Sequence, residues 1–245
     1  MISKIKSGLE GKTILITGSS RAIGAATARL AHSYGANVII HGKTKSPYLK
    51  RLAFEIGARY IFCDVVDEDR IKEKICKLGK IEILVNSAGI NISKPFMELT
   101  NEDWMETFNV NVLGTVNFSR ALIPQMLENG HGKIINLASV KGYSHSAGRA
   151  AYASSKAAII NLTSSMAKEL APHILVNAVA PGFTDTEMTE GTMSERVKKQ
   201  IGQIPLGRMA TPKEIAETIL FLASDKVKYI TGQTLLIDGG YNLLK

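Results

Sequence analysis

Thr13-Ile14-Leu15-Ile16-Thr17-Gly18-Ser19-Ser20-Arg21-Ala22-Ile23-Gly24 is the stretch on which the fold turns. It opens as a short apolar, β-branched run, the composition of a buried strand. Glycines follow at 18 and 24, and a helical pattern then runs to Tyr34-Gly35. Strand, glycine turn and helix in that order make a glycine pattern a candidate dinucleotide site. Gly18 permits the tight turn, and Gly24 lets helix and strand approach closely. The free amides at the helix start then face a pyrophosphate. The competing reading is a plain strand-to-helix turn with incidental glycines, and the rest of the chain decides between them.

Asn37-Val38-Ile39-Ile40-His41 reads as the second strand. In dinucleotide-binding sheets an acid after this strand holds the ribose 2′-hydroxyl of NAD. Here the chain continues Gly42-Lys43-Thr44-Lys45, with no acid. Arg21 and Lys43 could converge on a 2′-phosphate, which favours NADP(H) over NAD(H); the alternative is that Lys43 and Lys45 are solvated loop charges. Arg59 to Cys63 reads as a third strand ending at Asp64-Val65, followed by a helix from about Glu68 to Leu78. The next strand, Ile81 to Asn86, ends in Asn86-Ser87-Ala88-Gly89, where a glycine suits close approach of a ligand. Cys63 reads as an inert strand residue and Cys76 as a buried helix residue.

Thr100, with Asp103 three residues on, caps a long helix through Trp104 and Phe108 to about Glu128, which Pro124 kinks or ends. Asn111 falls inside it, where asparagine is disfavoured, so it is either satisfied locally or functional. The apolar run from Lys133 to Ala138 leads into Ser139. Ala150 to Leu170 is Ala-rich, free of Gly and Pro, and apolar at helical spacing. Tyr152 and Lys156 lie four apart in it and share one face. A free phenol titrates near ~10, and bringing it to neutrality takes roughly 4 kcal/mol. A unit charge ~4 Å away supplies about that much. The helix spacing is longer, so Lys156 falls short alone and an oxidised nicotinamide ring would close the gap. The bland alternative is a surface pair on an amphipathic helix.

Leu175 to Ala180 forms another strand, ended by Pro181-Gly182. Residues 183–209 are polar and rich in Thr, Met and Gly, which reads as a mobile lid over a pocket. Thr211-Pro212 caps a last helix to about Ala223, and Gln233 to Ile237 is a final strand before Asp238-Gly239-Gly240. Strands alternating with helices predict one doubly wound α/β domain over residues 1–245, with about seven parallel strands and helices on both faces.

The 245 residues are 45% hydrophobic and 21% charged, an ordinary globular composition. No apolar run is long enough for a membrane helix, and Met1 to Lys12 lacks the apolar core of a signal peptide. Two cysteines make no disulfide framework, so a cytoplasmic setting is expected. Five histidines without ligand spacing argue against a metal. The net charge of +8 comes without a basic run or interleaved aromatics, which speaks against nucleic acid; a phosphorylated cofactor or an acidic carrier is the better use for it.

These residues together resemble the short-chain dehydrogenase/reductases over nearly the whole chain. The nucleotide turn T-G-x-x-x-G-x-G appears as Thr17, Gly18, Ala22 and Gly24, with alanine for the middle glycine, which suits a residue already helical. N-N-A-G appears as Asn86-Ser87-Ala88-Gly89, N-x-V-x-P-G as Asn177, Val179, Pro181 and Gly182, and the catalytic trio as Ser139, Tyr152 and Lys156 with its 13-residue Ser-to-Tyr spacing. The resemblance implies a Rossmann domain and a hydride moving between nicotinamide and a carbonyl or hydroxyl carbon. Ser139 would bond the substrate oxygen and Tyr152 would trade the proton. Lys156 would hold the ribose, and Asn111 would place a water in the relay. The cofactor contacts implied are Gly18, Ser20, Arg21, Ile23, Gly24, Lys43, Asp64, Val65, Asn86, Ala88, Gly89, Tyr152, Lys156, Pro181, Gly182, Thr184 and Thr186. Ile204 to Arg208, Tyr229 to Thr234 and Pro181 to Met188 look like 3-oxoacyl-(acyl-carrier-protein) reductases of fatty acid biosynthesis. That implies a small carbonyl substrate on an acidic acyl carrier protein or coenzyme A, and a homotetramer. Dehydrogenases of sugars, polyols or hydroxysteroids share these segments and stay open as the alternative. A non-catalytic NADP-binding protein is a third reading, which the intact Ser, Tyr, Lys and Asn set opposes.

Overall fold

The computed structural model describes residues 7–144, 147–187 and 195–244. The first six residues of the leader reading and 188–194 of the expected lid therefore lie outside the described residues. Seven strands form one parallel sheet: β1 (Thr13–Ile16), β2 (Asn37–Gly42), β3 (Arg59–Phe62), β4 (Ile83–Asn86), β5 (Gly132–Leu137), β6 (Ile174–Pro181) and β7 (Thr234–Ile237). Their spatial order is β3-β2-β1-β4-β5-β6-β7, so the winding reverses between β1 and β4. Ile14 sits beside Val38 on one side and Ile83 on the other, and Ile134 beside Val176. Covered on both faces, such strands read as apolar runs rather than alternating ones.

One face carries α1 (Ala22–Ser33), α2 (Pro47–Glu55) and α8 (Pro212–Ala223); Ala25, Ala28, Leu49, Leu52, Ile215 and Ile219 fill that core. The other carries α3 (Glu68–Ile75), α5 (Gly114–Glu128) and α6 (Ala150–Leu170), through Ile71, Phe118, Leu122 and Ala167. The sequence reading does not place α2, although Ser46 caps it by accepting from Leu49 N and Pro47 opens it. Cys76 is exposed, not buried: Ile71 and Ile75 take the inward positions of α3, and Cys76, its C-cap, turns away from them.

The long helix expected from Thr100 is three pieces on one path: α4 (Asn101–Phe108), a π-helical turn over Asn109–Leu113, and α5. Thr100 and Asp103 form the expected capping box. Pro124 does not end the helix, because Arg120, whose carbonyl loses its partner, lies on the exposed side. The segment 183–209 is not without core residues: α7 (Glu195–Ile201) lies within it, Val197 and Ile204 are buried, and Thr184 bridges Ala210. Val197, Ile201 and Ile204 recur at helical spacing, the signal its polar composition hides.

Candidate active site

The crevice follows from the winding reversal. The chain leaves β1 at Thr17-Gly18 and β4 at Ser87-Ala88-Gly89, on adjacent strands at the same carboxyl edge. Thr17 Oγ1 accepts from Ser87 N at 3.0 Å and Ala88 N at 3.1 Å, locking the two turns together. Gly18 has φ +61, and a Cβ on it would fall 2.6 Å from Ala88 Cα. A Cβ on Gly24 would fall 2.5 Å from the Gly18 carbonyl oxygen. Arg21 gives α1 no side-chain cap, and its first turn holds no acid. Uncapped amides at the end of a helix favour an anion. Ile23 packs partly buried against the core beneath. Ala22 departs from expectation: its φ is +50, left-handed, rather than helical.

At the end of β2, Gly42 leaves its side-chain space to Ser20, whose Oγ would lie 2.7 Å from an added Cβ. Each of the two cations expected at a 2′-phosphate is paired with a carboxylate from a different loop. Lys43 Nζ lies 2.7 Å from Asp64 Oδ2, and Arg21 Nη1 lies 2.8 Å from Glu187 Oε2. All four side chains retain solvent contact, so these are loose pairs of small worth. The Val65 side chain packs where a Gly114 Cβ would be, and the Val65 carbonyl oxygen accepts from Asn117 Nδ2 at 3.0 Å. Burial pushes the Cys63 thiol up to about 11, which makes it inert.

The Asn86 side chain turns into the sheet, not the crevice. Its Nδ2 donates to Asn136 Oδ1 at 2.9 Å and Ser119 Oγ at 3.1 Å. Gly89 faces the reacting groups instead: a Cβ there would lie 3.1 Å from Asn111 Oδ1 and 3.6 Å from Lys156 Nζ. Asn111 is 1% exposed in the π-turn. Its Oδ1 accepts from Ile90 N at 2.8 Å, and its Nδ2 donates to Ile90 O at 3.0 Å and Ser155 Oγ at 2.9 Å. Both Nδ2 protons are thus engaged, and the side chain braces the loop after β4 against α6.

Ser139 ends the strand run with extended backbone and caps the short turn Val140–Gly142. That turn lies so close to α6 that a Cβ on Gly142 would fall 2.8 Å from the Lys156 carbonyl carbon. The Ser139 hydroxyl lies close enough to the Tyr152 phenol to oppose the effect of its burial. Lys156 is 4% exposed; its Nζ donates to Leu137 O at 2.6 Å and lies 5.8 Å from the Tyr152 ring centre. Burial raises the phenol above its ordinary value, against the nearby Ser139 hydroxyl and the charge of Arg149. Burial lowers Lys156 to about 8. The protein's own groups therefore do not make Tyr152 acidic; Lys156 falls short, as expected, and desolvation widens the gap.

Pro181 ends β6, and a Cβ on Gly182 would meet Asp238 Cα at 2.8 Å. Thr184 is buried with its Oγ1 donating to Gly182 O at 3.2 Å, and Thr186 follows on the outward course of the same segment. No group of three or more His, Cys, Asp or Glu among the described residues could hold a metal ion. No helix among them is long and apolar enough to cross a membrane.

A family model described as enoyl-(acyl-carrier-protein) reductase matches residues 18–242. The 3-oxoacyl-(acyl-carrier-protein) reductase of Thermotoga maritima is 42% identical over 243 residues, 95% of this chain and 98% of its own. The chain belongs to the short-chain dehydrogenase/reductase family. The same-named reductase of Aquifex aeolicus is 41% identical over 95% of this chain and 98% of its own. A gluconate 5-dehydrogenase from Burkholderia cenocepacia, solved with NADP and tartrate, superposes with a TM-score of 0.91 at 32% identity, over 97% of this chain and 98% of that one.

As a short-chain dehydrogenase/reductase, the protein is an oxidoreductase built for a nicotinamide coenzyme. Sequence reasoning left two residues that tie the crevice together without a role: Thr17 and Ser155. Thr17 was legible as the last residue before Gly18. Ser155, which donates to Tyr152 O at 2.7 Å while accepting from Asn111, had no local signal beyond its place between Tyr152 and Lys156.

Proposed function

We propose that this short-chain dehydrogenase/reductase reduces 3-oxoacyl thioesters, carried on an acidic acyl carrier protein or coenzyme A, with NADPH. The observation that carries the reading is the pairing of Ser139 and Tyr152 over the buried ammonium of Lys156, beside the glycine turn of β1. The turn fits a dinucleotide, since Gly18 and Gly24 have no room for a side chain and α1 offers uncapped amides. Gly18, Ser20, Ile23, Gly24 and Ala88 would line the pyrophosphate. Asp64 and the Val65 main chain would meet the adenine, and Gly89, Pro181, Gly182, Thr184 and Thr186 the nicotinamide half. The bare Gly42, the missing acid and the cations Arg21 and Lys43 support NADP(H) over NAD(H).

When bound, the coenzyme supplies hydride to the carbonyl carbon. The chain's residues handle the oxygen. Ser139 donates a hydrogen bond to it, and Tyr152, kept protonated by burial, delivers its proton as negative charge builds there. Lys156, held by Leu137, stabilises the phenolate left behind. Asn111 keeps the loop after β4 and the catalytic helix in register.

The substrate class is supported by relatives of that activity at 42% and 41% identity, and by the net charge of +8, which suits an acidic carrier. A sugar-acid dehydrogenase is the second reading, favoured by the gluconate 5-dehydrogenase likeness. Residues 183–187 and 195–209 are proposed as a cover over the substrate, the assembly as a homotetramer and the setting as cytoplasmic. The test is turnover of NADPH and NADH, separately, with acetoacetyl and crotonyl thioesters and, in reverse, gluconate. Reduction of the acetoacetyl thioester, faster with NADPH, is expected. Activity confined to the crotonyl thioester or to gluconate overturns the substrate, and preference for NADH overturns the coenzyme.

A further inference from the structure

His41, one residue before the end of β2, has its side chain turned inward: it is 1% exposed, and its ring meets Phe118 edge-on at 4.8 Å. Its two nitrogens serve two loops. Nε2 lies 3.0 Å from the Cys63 carbonyl oxygen, and Nδ1 lies 3.3 Å from the Gly18 amide nitrogen. A carbonyl only accepts and an amide N–H only donates, so the ring is neutral, protonated at Nε2 and bare at Nδ1. Burial pushes the imidazole down to about 4, so this state persists at neutral pH. The main chain of His41 adds to the link. Ser19 N donates to His41 O at 2.9 Å, and His41 N donates to Ser19 Oγ at 2.8 Å.

We propose that His41 is a positioning residue for the coenzyme. By accepting from Gly18 N and donating to Cys63 O, it holds the left-handed Gly18 turn at a set distance from the loop carrying Asp64. The phosphate-binding and adenine-binding sides of the crevice are then pre-organised as one clamp, which raises affinity by removing the ordering that binding would otherwise require. The ring acts through Gly18 and Asp64. The proposal rests on the coenzyme reading above.

Two substitutions separate its halves. Asparagine places an oxygen where Nδ1 stands, keeping the acceptor for Gly18 and losing the reach to Cys63. Glutamine reaches Cys63 and leaves the Gly18 N–H without an acceptor. His41→Gln is expected to raise the KM and Kd for NADPH roughly tenfold, the scale of one buried N–H left unpaired. His41→Asn keeps the Gly18 bond but cuts the tie to the Cys63 loop, and is expected to raise them about threefold. A purely structural role would lower the Tm of both variants and leave NADPH affinity unmoved. NADPH binding by either variant as tight as that of the unmodified protein overturns the proposal. The unmodified protein supplies a check that needs no variant: nitrogen NMR of the His41 ring at neutral pH is expected to show the neutral Nε2–H tautomer, and an Nδ1–H ring or an imidazolium overturns it. Unmodified protein that binds neither NADPH nor NADH overturns the coenzyme reading itself. Normal binding with the variant ratios violated overturns the role of His41 alone.

Discussion

Lys156 Nζ is held 2.6 Å from the Leu137 carbonyl and 5.8 Å from the centre of the Tyr152 ring. The anchoring carbonyl belongs to β5, so the catalytic helix is tied through its lysine to the strand that delivers Ser139 two residues later. Burial lowers Lys156 to about 8 and raises Tyr152 above its ordinary value. In the free enzyme the first of these groups to lose a proton as pH rises is thus the ammonium. Reductive kcat/KM is expected to be level near neutrality and to fall through about pH 8 as Lys156 discharges. A profile level to pH 10 would remove the charge of Lys156 from the mechanism.

Tyr152→Phe removes the proton donor and leaves Ser139 and Lys156 in place. Turnover is expected to fall by about 10²–10⁴-fold, the usual contribution of a positioned acid, with NADPH binding retained. Fluorescence titration beside steady-state kinetics checks both halves. Near-normal turnover would refute the assigned proton role.

Ala22 carries φ +50, which costs a residue with a Cβ about 1–2 kcal/mol. Glycine relieves that strain but adds freedom to the unfolded chain, returning about 0.4–1 kcal/mol. Ala22→Gly is expected to stabilise the protein by about 0.5–1 kcal/mol, read as a higher urea midpoint at constant slope. A lower midpoint would show that the turn is not strained there.

A Cβ at position 42 would fall 2.7 Å from the Ser20 hydroxyl, which can rotate aside, 3.3 Å from Leu49 Cδ2, which can shift slightly, and 3.4 Å from the Thr44 carbonyl oxygen. Gly42→Asp places a carboxylate beside Lys43, where an acid selects a free ribose hydroxyl and repels a 2′-phosphate. The ratio of kcat/KM for NADPH over NADH is expected to drop about tenfold or more. An unchanged ratio would move the selecting contact elsewhere in the crevice.

The buried ring of His41 also links stability to pH. The unfolded chain protonates it near its ordinary 6.5, the folded protein only near 4. Its contribution is therefore fully present above about pH 6.5 and is lost as pH falls toward 4, up to about 3 kcal/mol. Denaturation midpoints from pH 7 to 4 should show that slope, and His41→Asn should lack it. Equal slopes in the two proteins would mean that other groups carry the acid sensitivity.

Much of this is legible in the amino-acid sequence. The apolar runs become β1 to β7 within a residue or two at each end, and Ala150 to Leu170 is helical from end to end. Ser139, Tyr152, Lys156 and Gly89 come together as their motifs imply. Other residues went differently. Asn86 serves the sheet interior, Arg21 and Lys43 face separate carboxylates, and Cys76 turns outward.

The amino-acid order alone determined the alternation of strands and helices, the glycines at the nucleotide turn and the spacing of the reacting side chains. Each is a local matter, set by neighbours within a strand or one to two helical turns. Tertiary structure alone decided that His41 spans Gly18 and Cys63, that Ala22 is left-handed and that burial, more than Lys156, governs the Tyr152 phenol. Those outcomes depend on which strands become neighbours and on how much water they exclude, and no short stretch of sequence encodes either.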